Sequence, residues 1–130
     1  MREVTAAVIE RGGTVLLCRR KPGGSLGGKW ELPGGKLEPD ETPEQGLVRE
    51  LREELGIEVR VGEFIGSADF RNGTSEYRVL TYLVQLVSGV PRAREHEELR
   101  WVSSDELDLY DLPDSDRSLM PQIKKSLCRK

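Results

Sequence analysis

The sequence predicts an α+β domain built in layers, on three observations. Apolar and β-branched residues are concentrated in five strand-like runs, residues 3–10, 14–18, 57–70, 76–87 and 98–103. One strongly capped helical segment, residues 42–55, stands among them, and a second helical pattern, residues 118–128, lies near the end. Strands before and after a central helix bury their faces by layering helices on a sheet. At 130 residues, with no internal repeat or linker, residues 1–130 are expected to form one domain around one core.

The elements follow in order. The first run ends in Glu10, Arg11, Gly12, Gly13, and the Gly-Gly pair reads as a hairpin turn into the returning strand TVLLC. Residues 19–29 form a basic loop with Gly23, Gly24, Gly27 and Gly28, a composition that serves a connector or a loop lying near phosphates. The string WELPGGK then leads into the helix. Thr42 is its N-cap, Pro43 suits the first helical position, Gln45 completes a capping box, and Gly56 is placed as a left-handed stop. Between the two long strands, Asn72-Gly73 signals a hairpin. After the short strand ELRWVS, Asp105-Glu106-Leu107 suggests a helical turn before the terminal helix.

Composition narrows the function. Apolar residues make up 36% and charged residues 33% of the chain, and no apolar run approaches the roughly 20 residues that cross a bilayer. The first residues enter a strand pattern with no signal-peptide character, and Cys18 and Cys128 are the only thiols, so a cytoplasmic protein without a disulfide framework is expected. His96 is the sole histidine, which removes most His-based metal sites. A net charge of −3 and a pI near 5.3 argue against a surface that wraps a nucleic-acid polymer. They leave room for a small phosphorylated substrate, because a carboxylate-held cation can mediate between two anions.

The helix carries the sharpest signal. At about 100° per residue, Leu47, Val48, Leu51 and Leu55 form one stripe, while Glu50, Glu53 and Glu54 form the next. Glu50 meets Glu53 and Glu54 at i+3 and i+4, where like charges repel, and Arg49 is expected to answer only Glu53, at i+4. Acidic helices are commonly just solvated faces, and a hard cation such as Mg²⁺ or Mn²⁺ is the other way to relieve this crowding. The upstream context decides between them. GKLEPDETPEQGLVRELREELGI fits the pattern G-x5-E-x7-R-E-U-x-E-E-x-G-U (U bulky and apolar) at Gly35, Glu41, Arg49, Glu50, Leu51, Glu53, Glu54, Gly56 and Ile57. With each fixed letter occurring at roughly one in fifteen, chance agreement is on the order of 10⁻⁸ per window.

This string resembles the signature of the Nudix hydrolase family. VTAAVIE, LLCRR, KWELPGGK, EHEELRWVSSDEL and LPDSDRSLM extend the resemblance over nearly the whole chain, toward MutT-like enzymes and cytidine-triphosphate pyrophosphohydrolases. It implies an α/β/α sandwich with a mixed sheet between helices and a loop–helix–loop metal site. It also implies Mg²⁺-dependent cleavage of a nucleoside triphosphate to the monophosphate and pyrophosphate, Mn²⁺ substituting. By that likeness Glu53 and Glu54 are metal ligands, Glu50 a ligand or the general base, and the Gly34 carbonyl a further ligand. Glu41 is an outer ligand or proton acceptor, and Arg49 holds a box carboxylate. Glu95 matches the place of an additional catalytic or metal-binding glutamate, with His96 beside it an ordinary loop histidine. Arg20 and Lys36 are the phosphate contacts, with Arg19 and Lys29 behind them.

The likeness of LPDSDRSLM assigns the base edge to Asp116, with Asp114 second; the other role open to Asp116 is a helix cap. An ionised aspartate only accepts hydrogen bonds, which favours the cytosine amino edge, while guanine or an oxidised guanine also presents donors. Trp30, Phe70 and Tyr77 are candidates to stack on a base. ADP-ribose or dinucleoside polyphosphates are alternative substrates on the same fold, and a non-catalytic nucleotide-binding module is a third reading. A monomer or a homodimer fits equally.

Overall fold

The computed structural model describes residues 1–24 and 26–128; Ser25 of the expected glycine-rich loop and Arg129 and Lys130 at the expected domain end lie outside them. The strands are β1 (Arg2–Arg11), β2 (Thr14–Arg19), β3 (Trp30–Glu31), β4 (Glu58–Asn72), β5 (Ser75–Ser88) and β6 (Glu98–Ser103). The helices are α1 (Pro43–Leu55), α2 (Asp114–Ser118) and α3 (Met120–Cys128), with a 3₁₀ helix at Ser104–Leu109. The sheet is mixed. Its strands run in the order β3-β2-β1-β5-β4, β6 pairing with the other side of β2. β1 lies parallel to β5 from Arg2↔Tyr77 to Glu10↔Gln85, and the remaining pairs are antiparallel.

Alternation along the central strands divides the core into two layers. Ala7 and Ile9 of β1 and Leu16 and Cys18 of β2 pack under Leu47, Leu51 and Leu55 of α1. Ala6, Val8, Val15 and Leu17 face the other way, onto Leu107, Leu112, Leu119, Met120 and Ile123. The arrangement is the expected α+β sandwich. Val48, expected on the apolar stripe of α1, is only half-buried.

One irregularity positions the site. β1 and β2 pair only next to their turn, at Glu10↔Val15 and Arg11↔Thr14, and then splay apart. Backbone groups exposed by the splay need partners, and the segment from Trp30 to Lys36 supplies them as a wedge. Its first residues pair with β2 at Arg19↔Trp30 and Cys18↔Glu31. Its last residues cross to β1, where Ala7 N donates to Pro33 O and Thr5 N to Gly35 O, both at 2.8 Å. Gly34 is required in the wedge, since a Cβ there would lie 2.0 Å from Thr5 O.

α1 has the caps its sequence specifies. Thr42 accepts from Gln45 N, the Gln45 side chain answers Thr42 N, and Gly56 ends the helix at φ 70. Two expectations need correction. The long hairpin turns at Gly73-Thr74, one residue beyond Asn72-Gly73, because Asn72 still pairs with Ser75; Gly73 takes the positive φ of 66 as the first loop residue. The terminal helix starts earlier and is broken: α2 ends at Ser118, Leu119 caps it, and α3 begins at Met120.

Candidate active site

The loop before α1 and the first half of the helix are held together by Arg49. Its guanidinium clasps Glu41 with two bonds, Nε to Oε2 at 2.6 Å and Nη2 to Oε1 at 3.0 Å. It also donates to Glu50 Oε1 at 3.2 Å, to Glu53 Oε1 at 3.4 Å and to the Lys36 carbonyl at 3.0 Å. The expectation that Arg49 answers Glu53 alone is therefore corrected. The fork reaches several acceptors at once because Glu38, Asp40 and Glu41 fold back over the helix start, with Asp40 in the left-handed region at φ 67. Glu41 also accepts from Glu38 N, and the Arg49 guanidinium holds its carboxyl below the usual range.

Glu50 and Glu54 point the other way, toward the wedge. Gly35 has no Cβ where one would fall 2.4 Å from the Glu50 carboxyl carbon, so the glycine lets Glu50 lie against the loop. Burial pushes the Glu50 carboxyl up despite Arg49, and the charges of Glu53 and Glu95 add to this. Glu54 is pushed up to about 8, first by burial, then by Glu50, Glu95 and Glu31, while the Gly34 amide favours its charged form. Its Oε1 is buried with no hydrogen-bond partner among the described residues. Glu53 projects outward, its side chain 58% exposed. Glu95 shares a recess with Glu54, Glu31, His96, Arg20 and Lys21.

These donors fit a hard divalent cation. Among the described residues no three ligating groups form a ready-made cage, but the buried Glu54 Oε1, which no described residue hydrogen-bonds, is crowded by three more carboxylates that a cation would relieve. Glu54, Glu50, Glu53 and the Gly34 carbonyl are the candidate ligands, all oxygen, with Glu95 across the recess.

Beyond the carboxylates lies a cleft of about 500 Å³ lined by Arg20, Glu31, Gly34, Lys36, Glu54, Phe70, Tyr77 and Asp116 among others. It brings three of the proposed substrate contacts, Arg20, Lys36 and Asp116, to one opening beside Glu54. Arg19 and Lys29 are occupied elsewhere, bonding to Gly28 O and to Asp111. Asp116 does not cap a helix by its side chain. It is buried, and its Oδ2 accepts from Leu32 N at 3.2 Å across the cleft wall. Burial, with a smaller effect from Glu31, pushes its carboxyl up to about 7. Asp114 is exposed on the cleft rim. Phe70 and Tyr77 stack on each other at 5.1 Å and line the cleft, whereas Trp30 meets Tyr110 edge-on.

Glu31 is the residue sequence reasoning passed over. It accepts from Arg20 Nη1 at 3.1 Å and meets His96 Nε2 at 3.1 Å. No local signal marks it: Glu31 pairs with Cys18 across β2 and β3, which brings its side chain to Arg20 just beyond the end of β2. His96, expected as an ordinary loop histidine, is buried.

With this geometry in place, comparison with known proteins assigns the class. The NUDIX domain model matches residues 1–123, and the chain belongs to the Nudix hydrolase family. It is 43% identical over 127 residues to a putative 8-oxo-dGTP diphosphatase 2 of Mycobacterium tuberculosis, covering 95% of this chain and 89% of that one. It is 43% identical over 120 residues to the CTP pyrophosphohydrolase of Escherichia coli K12, covering 92% and 89%. The solution structure of the E. coli ORF135 protein superposes with a TM-score of 0.85 at 40% identity, covering 96% of this chain and 89% of that one.

Proposed function

We propose that this protein hydrolyses a nucleoside triphosphate to the monophosphate and pyrophosphate with Mg²⁺, Mn²⁺ substituting. The carrying observation is the buried Oε1 of Glu54, without a hydrogen-bond partner among the described residues, set among Glu50, Glu31 and Glu95 at the mouth of a cleft that also holds Arg20 and Lys36. Relatives named for triphosphate cleavage, alike over nine-tenths of the chain, support the reading.

Glu50, Glu53, Glu54 and the Gly34 carbonyl would hold the cation, with Glu95 completing or flanking the set. When bound, a divalent cation offsets phosphate charge and lowers the pKa of a coordinated water. Arg49 keeps Glu41 and Glu50 in single rotamers, so the carboxylates are organised before substrate arrives. Glu50, lying against the wedge and held by Arg49, is either one of the cation ligands or the proton acceptor. Arg20 and Lys36 meet the phosphate oxygens, Arg20 being steadied by Glu31. Hydrolysis adds a water oxygen to the α- or β-phosphorus, the oxygen bridging the two leaves with the other fragment, and a box carboxylate is placed to take the water's proton.

Asp116 reads the base. Above pH 7 it is chiefly an acceptor and suits donor edges, the cytosine amino group or the N–H groups of guanine and oxidised guanine. No helix among the described residues is long and apolar enough to cross a membrane, and a cytoplasmic site of action is proposed with the activity.

The test is the initial rate of pyrophosphate release from ribo- and deoxynucleoside triphosphates, including CTP, dCTP and 8-oxo-dGTP, with and without Mg²⁺. Cation-dependent turnover with a preference among bases supports the reading. Silence across the panel refutes it and turns attention to ADP-ribose and dinucleoside polyphosphates.

A further inference from the structure

The last carbonyls of a helix have no partner within it, and at the end of α1 the loop between β5 and β6 supplies donors. Arg92 N donates to Leu55 O at 3.0 Å. The Arg94 guanidinium donates through Nη1 to Arg52 O at 3.4 Å and Glu53 O at 3.3 Å. Gly56 makes the seat: a Cβ there would fall 2.8 Å from Arg94 Nη2 and 3.2 Å from Cζ. The planar cation thus lies against the glycine that stops the helix, where it also complements the negative helix end.

Further along the same loop, Glu97 N donates to Arg19 O at 2.9 Å, at the end of β2. Glu95 and His96 are therefore suspended between two anchors, one on the carboxylate helix and one on the sheet. His96 turns inward to Glu31, and Glu95 faces the recess that contains Glu54. Of the two anchors, only the first ties Glu95 to the element that carries Glu50, Glu53 and Glu54.

We infer that Arg94 is a positioning residue, clamping the β5–β6 loop to the end of α1 so that Glu95 keeps its place beside Glu54. This rests on the proposed reading of Glu95 as part of the cation-binding set. Arg94 acts through its neighbour and touches no substrate. Without the clamp, the Arg92 N bond to Leu55 O is what fastens this end of the loop to α1 among the described residues. Glu95 then samples positions away from Glu54, and the cation site loses affinity as sites do when an outer orienting partner is removed.

The experiment is a double-mutant cycle of R94M and E95Q, with R94K as the conservative variant. Methionine keeps much of the side-chain length and removes the donors; lysine returns the charge without the fork. Two readouts are taken: Mn²⁺ affinity of the substrate-free protein by electron paramagnetic resonance, and kcat and KM for the best triphosphate. R94M is expected to weaken Mn²⁺ binding and lower kcat by about tenfold, with nucleotide KM changed by less than about twofold. R94K should recover part of both, and R94M should add nothing in the E95Q background. Wild-type Mn²⁺ affinity and kcat in R94M overturn the proposal, as does a loss that multiplies fully with that of E95Q. If E95Q itself binds Mn²⁺ and turns over as wild type does, the reading of Glu95 fails and the proposal fails with it.

Discussion

Replacing Glu54 by glutamine probes the site in a way that stability alone can report. The Glu54 carboxyl is pushed from 4.5 up to about 8 by burial and by three neighbouring carboxylates. Its folded value thus exceeds its unfolded one, so its protonated form supports the fold below about pH 4.5. That support drains away as the pH rises toward 8. At about 1.4 kcal/mol per factor of ten, the full rise sets a ceiling of about 5 kcal/mol. Water reaching the open cleft screens the charges, which brings the expected loss to about 2 kcal/mol. Glutamine fills the same volume without ionising. In chelator-treated protein, denaturant unfolding should show E54Q and wild type alike near pH 5, with E54Q about 2 kcal/mol more stable at pH 8.5. Added Mg²⁺ or Mn²⁺ should stabilise wild type at pH 8.5 and leave E54Q nearly unmoved, while turnover of E54Q falls by orders of magnitude. If E54Q loses stability in parallel with wild type between pH 5 and 8.5, the argument from crowded carboxylates is refuted.

Three further outcomes follow from the geometry. R49K keeps one charge but cannot clasp both Glu41 oxygens and reach Lys36 O, so kcat should fall about tenfold or more in steady-state assays. D116N can still accept from Leu32 N while presenting an amide donor to the cleft. Its melting temperature should exceed that of wild type above pH 7 by about 4 °C or more, because the native carboxyl, pushed up to about 7, loses its stabilising protonated form there. The same variant should lose preference for cytosine over uracil in a competition assay. G34A must push a Cβ into Thr5 O or release the wedge from β1, and urea unfolding should show a loss of about 2 kcal/mol or more.

The local signals in the sequence were those the structure uses. Thr42, Pro43, Gln45 and Gly56 mark α1 because capping chemistry acts within a turn of the residue that carries it. The 3.6-residue spacing of Leu47, Leu51 and Leu55 reports the buried face for the same reason. The features that stayed hidden are long-range. Nothing in WELPGGK says that its two ends pair with different strands, since that depends on how far β1 and β2 splay. The Arg49 fork reaches an acceptor 13 positions away in the chain, the Lys36 carbonyl, which helical spacing cannot disclose. Glu31 acquires its role only where the sheet lays it between Arg20 and His96, and Asp116 its shifted ionisation only by burial behind Leu32. The break at Leu119 likewise reflects packing against the sheet rather than any local stop signal.

Product identification tests the central claim most directly. CTP, 8-oxo-dGTP or the best substrate of the panel is incubated with the protein and Mg²⁺ and followed by ³¹P nuclear magnetic resonance. Cleavage next to the innermost phosphate should give the nucleoside monophosphate and pyrophosphate in equal amounts, and chelation of the cation should stop it. A nucleoside diphosphate with orthophosphate, or turnover indifferent to the chelator, would contradict the account.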